Sequence, residues 1–184
     1  MARKGPAPTF SPVALKEPST KTRYRRTAIG SAGIVALALA TSGHLWGVYK
    51  VPSDSMSPTI AAGSTIVAIS WGGPASVGDV VTFTGPGGAV MVKRVAASGG
   101  DVLACCDARG QVTRNSVGVA EPYTLPVGTG AFGPLQAGPG QLLVLGDHRA
   151  DSQDSRTWGP VAVGAVRAKV VAVLWPPSAA GLVR

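Results

Sequence analysis

Ser55 stands between Pro52 and Pro58 in the stretch Val51-Pro52-Ser53-Asp54-Ser55-Met56-Ser57-Pro58-Thr59-Ile60, with Ser53 two residues before it. A serine hydroxyl is a poor nucleophile until a base takes its proton, so the chain must supply a base. It contains two histidines. His44 lies in an apolar run and His148 in a Gly-Asp-His-Arg turn, so a Ser-His-Asp triad would rest on His148 alone. Lys93 is the other candidate, in Ala89-Val90-Met91-Val92-Lys93-Arg94-Val95, approached by four apolar residues. Such a setting strips water from an ammonium and lowers its pKa.

These residues need a scaffold. The 25 Gly and 15 Pro among 184 residues suit a turn-rich β protein better than a helical one. A formal charge of +8 raises a nucleic-acid reading, which its distribution removes. Residues 1–26 hold seven basic side chains against one acid, a net of +6; the other 158 hold ten against eight, a net of +2. The basic character belongs to the tail.

Pro6, Pro8, Pro12 and Pro18 leave that tail little to bury, and residues 1–26 read as a disordered basic segment on the cytoplasmic side. Arg23-Tyr24-Arg25-Arg26 abuts an apolar run, Thr27 to Val48, whose one ionisable side chain is His44. As a helix it would reach roughly 33 Å, enough for a hydrocarbon core of about 30 Å. The pattern predicts one transmembrane anchor helix over 27–49, with its basic end in the cytoplasm and Trp46 and Tyr49 at the far interface. Ala38-Leu39-Ala40 has the form of a secretory cleavage site, but the run exceeds the roughly 7–15 apolar residues of a signal peptide. The chain therefore reads as a single-pass protein of the plasma membrane with residues 50–184 outside the cytoplasm.

That outer part reads as mainly β. Ser64 to Ser70, Asp79 to Thr84, Gly88 to Val95, Gln141 to Leu145 and Val166 to Trp175 are Val/Ile/Leu-rich runs, cut apart by Gly-Gly-Pro, Gly-Pro-Gly and Trp-Gly-Pro punctuation. One antiparallel β-sandwich or barrel-like domain accommodates them. The segment from Asp107 to Gly138 reads as an elaboration on its rim. Cys105 and Cys106 are adjacent, match no spaced metal or redox pattern, and fit either a non-catalytic disulfide or two buried thiols.

Three boxes now stand in order behind the anchor: Pro52 to Ile60; Lys93-Arg94-Val95 with Gly100-Asp101; and Gly146-Asp147-His148-Arg149-Ala150-Asp151-Ser152-Gln153-Asp154-Ser155-Arg156. Together they resemble the type I signal peptidases, membrane-bound Ser-Lys enzymes, and in particular the Gram-positive, actinobacterial-like form. The likeness runs from the anchor to about Val173. Ile60 stands for the family's Leu, His148 for its Asn, Ser64 for the Asp after Gly63, and Gly99 for a Pro. Neither Ser64 nor Gly99 supplies chemistry; they bear on local turn geometry.

The resemblance implies Ser55 as nucleophile and Lys93 as general base, whose pKa near 10.4 must fall by roughly two units for it to accept the serine proton. It implies that Ser152 orients the lysine amine and that Ser53 joins the Ser55 N–H in the oxyanion hole. Arg94, Asp147, Asp154 and Arg156 would brace the site. Val51, Pro52, Met56, Ile60, Met91 and Val92 would wall shallow pockets fit for alanine, although Met56 and Met91 are also ordinary core residues by type. The implied reaction is removal of N-terminal signal peptides from exported preproteins after an Ala-x-Ala sequence, at the lipid bilayer and near the export machinery. No cofactor, metal or nucleic-acid partner is implied, and the chain has neither HExxH nor a Gly-rich loop ending in Gly-Lys-Ser/Thr. A Ser-Lys β domain that cleaves itself or one dedicated partner, and an inactive tethered module that binds exported chains, are the competing classes.

Overall fold

The computed structural model describes residues 46–70, 72–125, 128 and 130–183. The basic tail and the expected anchor up to residue 45 lie outside the described residues. Among the described residues no helix is long and apolar enough to cross a membrane.

Twelve strands follow one another among the described residues: β1 (Trp46–Lys50), β2 (Thr65–Ile69), β3 (Val80–Thr84), β4 (Val90–Ser98), β5 (Val102–Cys105), β6 (Val112–Arg114), β7 (Val117–Gly118), β8 (Phe132–Gln136), β9 (Gln141–Leu145), β10 (Val161–Ala162), β11 (Val166–Trp175) and β12 (Gly181–Leu182). Among the described residues one short α-helix, α1 (Ser155–Trp158), precedes β10. The main sheet runs β1-β2-β11-β3-β4-β9-β10 with β12 beside β11, and a second sheet runs β7-β6-β5-β8. Every pairing among the described strands is antiparallel.

The five apolar runs all form strands, and Gln141–Leu145 and Val166–Trp175 keep the bounds that the sequence suggests. One expectation needs correction. Trp46 to Tyr49, assigned to the end of the anchor helix, are strand: β1 pairs residue for residue with β2, from Trp46↔Ile69 to Lys50↔Thr65. Gly47, Val48 and Tyr49 are weak helix formers, and a ladder against β2 satisfies their backbone groups instead. The β domain therefore begins by residue 46, not 50.

The rim segment also holds a sheet of its own. Asn115 and Ser116, both at positive φ (54° and 66°), make the tight turn between β6 and β7. Pro134 is tolerated in β8 because that strand lies at the sheet edge, paired with β5 alone. Short strands interrupted by Gly and Pro hid this sheet from pattern reading. Cys105 and Cys106, at the end of β5, are joined by a disulfide.

Both faces of β9 are covered, which explains its unbroken apolar run. Leu142 and Val144 enter a cluster with Val81, Phe83, Val95 and Val161, whereas Leu143 and Leu145 face Ala97, Leu103, Val112 and Ala137 beneath the second sheet. A third cluster gathers Val51, Met56 and Ile60 with β2 and β11 residues such as Ile66 and Val170. The loop bearing Ser55 is thus nailed to the sheet through its own apolar residues. Truncating a side chain in the doubly covered strand should be felt strongly. Leu143→Ala is expected to lower unfolding free energy by about 2–5 kcal/mol, read from urea titration of the full chain followed by tryptophan fluorescence.

Candidate active site

The loop from Val51 to Ser64 is closed at both ends by backbone bonds, Val51 N–H to Ser64 O at 2.9 Å and Gly63 N–H to Val51 O at 2.8 Å. Inside it, the Asp54 carboxylate accepts from the Ala62 N–H at 2.8 Å and the Ser57 hydroxyl at 2.9 Å. These bonds, the Ala62 N–H foremost, hold the Asp54 carboxyl below its ordinary pKa. Met56 and Ile60 bridge to each other and are fully buried. Ser55 is held between a solvent-facing hydrogen-bonded turn and an apolar anchor.

Across from it, β4 presents Lys93, 3% exposed, with Nζ 2.6 Å from Ser55 Oγ. Burial removes water from the amine and lowers its pKa, while the nearby Asp154 and Asp147 carboxylates oppose that shift. Once the amine is neutral, the serine hydroxyl can donate to it across the same distance, the geometry of a nucleophile and its base. Ser53 Oγ lies 3.4 Å from Ser55 Oγ.

The turn after β9 closes the third side. His148 N–H donates to the Ser55 carbonyl at 3.1 Å. A Cβ on Gly146 would strike that same carbonyl and the Ser152 side chain, so space alone requires glycine there. Asp147 is fully buried and takes Arg94 in a two-pronged ion pair, Nε to Oδ1 at 2.9 Å and Nη2 to Oδ2 at 2.7 Å. Thr59 Oγ1 donates to Asp147 Oδ2 at 2.5 Å, which ties the serine loop to the pair. Asp154 accepts from Gly146 N–H at 3.0 Å and from Arg156 Nε and Nη2, each at 2.8 Å. Burial pushes the Asp154 carboxyl up, but Arg156 and the Gly146 N–H outweigh it, and the net pKa is lowered.

The four residues expected to brace the site thus lie together as two arginine–aspartate pairs. Ser152 is beside Gly146, but its buried hydroxyl has no hydrogen-bond partner, and the Lys93 amine bonds Ser55 instead. The contact from His148 to the serine is made by its backbone; its ring Nδ1 is buried without a partner.

A cleft of about 390 Å³ opens beside Ser55 and Lys93, lined by Val51, Pro52, Met56, Met91 and Val92 together with Tyr49, Lys50, Ser53 and Val90. Ile60 is not on that lining; it is 1% exposed in the core, because its bridge to Met56 turns it inward. Sequence reasoning missed Thr59 and Gly146, which stood in plain view within the boxes. It also missed Glu121 and Tyr123, which touch arginines far along the chain and carry no local signal.

With this geometry in place, comparison with known proteins is direct. The family model described as "Signal peptidase, peptidase S26" matches residues 25–175. A signal peptidase I of Mycobacterium tuberculosis is 31% identical over 74% of this chain and 67% of its own length. A probable thylakoidal processing peptidase 2 of Arabidopsis thaliana is 33% identical over 70% of this chain and 38% of its own length, so the chain spans well under half of that relative. The chain therefore belongs to the signal peptidase family, peptidase S26. A crystal structure of a signal peptidase I from Enterococcus faecalis V583 overlays with a TM-score of 0.44 at 23% identity, covering 53% of this chain and 97% of that one.

Two predictions follow from the third side of the site. Gly146→Ala should push Ser55 out of place and lower kcat by about 100-fold or more, measured on a cleavable peptide. Asp154 is stabilising as a carboxylate above its ordinary 3.8, and that contribution is lost as pH falls through its lower folded value. Asp154→Asn should then be about 1–3 kcal/mol less stable than wild type at neutral pH. The gap should close in acid, as read from denaturant titrations at a series of pH values.

Proposed function

We propose that the chain is a membrane-anchored serine endopeptidase that removes N-terminal signal peptides from exported preproteins, with Ser55 as nucleophile and Lys93 as general base. The observation that carries this reading is the 2.6 Å contact between Ser55 Oγ and the buried Lys93 Nζ. Neutral Lys93 takes the Ser55 proton as Oγ bonds to the scissile carbonyl carbon. The Ser55 N–H and the Ser53 hydroxyl receive the oxyanion; donors of this kind are commonly worth about 2.7–4 kcal/mol each. The resulting ammonium returns its proton to the leaving amine, the carbon–nitrogen bond breaks, and an acyl-enzyme remains. Water then attacks the ester, Lys93 accepts its proton, and the proton passes to Ser55 Oγ as the new carboxyl-terminal acid departs. Ser152, whose side chain lies against Gly146 beside the site, is the group that would steady the amine once Ser55 has reacted.

Substrate binding follows from the sheet. From Val90 to Lys93, β4 pairs with β3, while its pairing with β9 begins only at Arg94. The other edge of that half-strand borders the cleft, where an extended peptide can add as a strand. Cleft walls from Val51, Pro52, Met56, Met91 and Val92 suit small residues at alternate positions, in keeping with Ala-x-Ala. The apolar run before residue 46 would hold the site at the bilayer where signal peptides lie, with the N-terminus in the cytoplasm, the β domain outside, and export machinery close by.

The test is cleavage of a preprotein with an Ala-x-Ala site by the full chain in detergent, with products located by mass. Ser55→Ala and Lys93→Ala should each lose about 100- to 10,000-fold or more of the rate. The wild-type rate should rise with pH through the folded pKa of Lys93, which lies below the ordinary 10.5. Because the folded state favours the neutral amine, fold stability should also rise between that lowered value and 10.5, a gain that Lys93→Met abolishes. Full activity of Lys93→Ala would sink the dyad, and inertness of the wild type on every preprotein would favour a binding module.

A further inference from the structure

Beyond the two braces already described, the segment from Val119 to Leu125 descends from the second sheet onto the same turn. Its exit from β7 is fixed by Val119 N–H to Val112 O of β6 at 2.8 Å, and Thr124 closes it through N–H and hydroxyl bonds to Glu121 O at 3.1 and 2.9 Å. This small turn presents Glu121 and Tyr123 together, with the Tyr123 hydroxyl donating to Glu121 Oε1 at 3.1 Å. Burial, then the Glu121 charge, pushes the Tyr123 phenol up to about 12, so it remains a donor.

Each of the two side chains meets a different arginine. Glu121 takes Arg149 in a two-pronged pair, both contacts 2.6 Å. Arg149 Nε in turn donates to Gly146 O at 3.0 Å. The Tyr123 ring lies under the Arg94 guanidinium, 4.0 Å from its carbon to the ring centroid. Arg94 follows Lys93 in β4 and holds Asp147. Gly146 and Asp147 are thus each gripped by an arginine, and each arginine is gripped by this segment.

We infer that Glu121 and Tyr123 are positioning residues for the reaction: acting through Arg149 and Arg94, they fix the Gly146-Asp147-His148 turn against Ser55 and beside Lys93. The inference rests on the peptidase reading above. Arg149 and Arg94 are nearly fully buried, at 3% and 2% exposure, so their orientation depends on their partners, not on water. Without Glu121, Arg149 swings to find another acceptor and releases Gly146 O. Without the aromatic face, Arg94 gains room and the Asp147 carboxylate shifts with it. Both movements reach Ser55 through the His148 N–H, and neither touches the peptide cleft, which Glu121 and Tyr123 do not line.

The experiment measures kcat and KM separately for the full chain in detergent on an Ala-x-Ala preprotein, with the folded fraction of each variant taken from near-UV circular dichroism. Glu121→Ala and Tyr123→Leu should each lower kcat per folded molecule by about 10- to 100-fold while KM stays within about twofold. Tyr123→Phe, which restores the ring face, and Glu121→Asp, which restores the charge, should recover most of the loss. If Glu121→Ala fails to fold, Tyr123→Leu and Tyr123→Phe carry the comparison, since they alter no buried ion pair. The inference is overturned if kcat per folded molecule is unchanged, if only KM rises, or if Phe recovers nothing over Leu. Wild-type inertness would overturn the peptidase reading itself and this inference with it, whereas an active wild type with unaffected variants overturns only the inference.

Discussion

The contact between Lys93 and Ser55 depends on keeping a basic amine in a place where charge is expensive. A lysine 3% exposed is held toward neutrality by loss of water, yet two carboxylates, Asp147 and Asp154, sit close enough to favour its charged form. The fold resolves this opposition by committing each carboxylate to an arginine, Asp147 to Arg94 and Asp154 to Arg156. The positive charge of a paired guanidinium partly offsets the field that a carboxylate exerts on a neighbouring amine. Buried ion pairs of this kind add little net stability against an apolar substitute, and removing one partner is severe. Their place here is electrostatic: each acidic residue that builds the turn is set against an arginine, while burial lowers the lysine pKa.

The sheet supplies the stiffness that such a balance needs. Lys93 and Arg94 are consecutive on β4, so their side chains leave opposite faces, one toward the serine and the other toward the aspartate behind it. Val81 and Val80 oppose them on β3 and enter separate apolar clusters, which locks β4 in register. A one-residue slip would exchange the lysine and the arginine. The register of one strand pair therefore decides which basic side chain meets Ser55.

Gly146 is the point at which packing and chemistry meet. Its missing side chain lets the β9 turn close against the Ser55 carbonyl, its N–H satisfies Asp154, and its carbonyl is held by Arg149. Three separate stretches of chain, the serine loop, β4 and this turn, converge within hydrogen-bond distance. The segment after β7 adds Glu121 against Arg149 and the Tyr123 ring against Arg94.

The sequence by itself determined the strands with long β-branched and leucine-rich runs, because type and local spacing carry that information. That Ser55, Lys93, Asp147 and Asp154 belong near one another was legible only through the resemblance of the three boxes to the signal peptidases, since nothing in their separate local patterns links them. Tertiary structure alone decided the rest. Whether Trp46 to Tyr49 extend a helix or form a strand turns on β2 being available as a partner, which local propensity does not record. Ile60 lies in the core and not in the cleft because its loop folds back on Met56. The Arg149–Glu121 pair joins residues 28 apart through a sheet whose strands are too short and too rich in Gly and Pro to be read as strands. Contacts of that kind are set by where the chain returns in space, and a pattern along the chain cannot encode them.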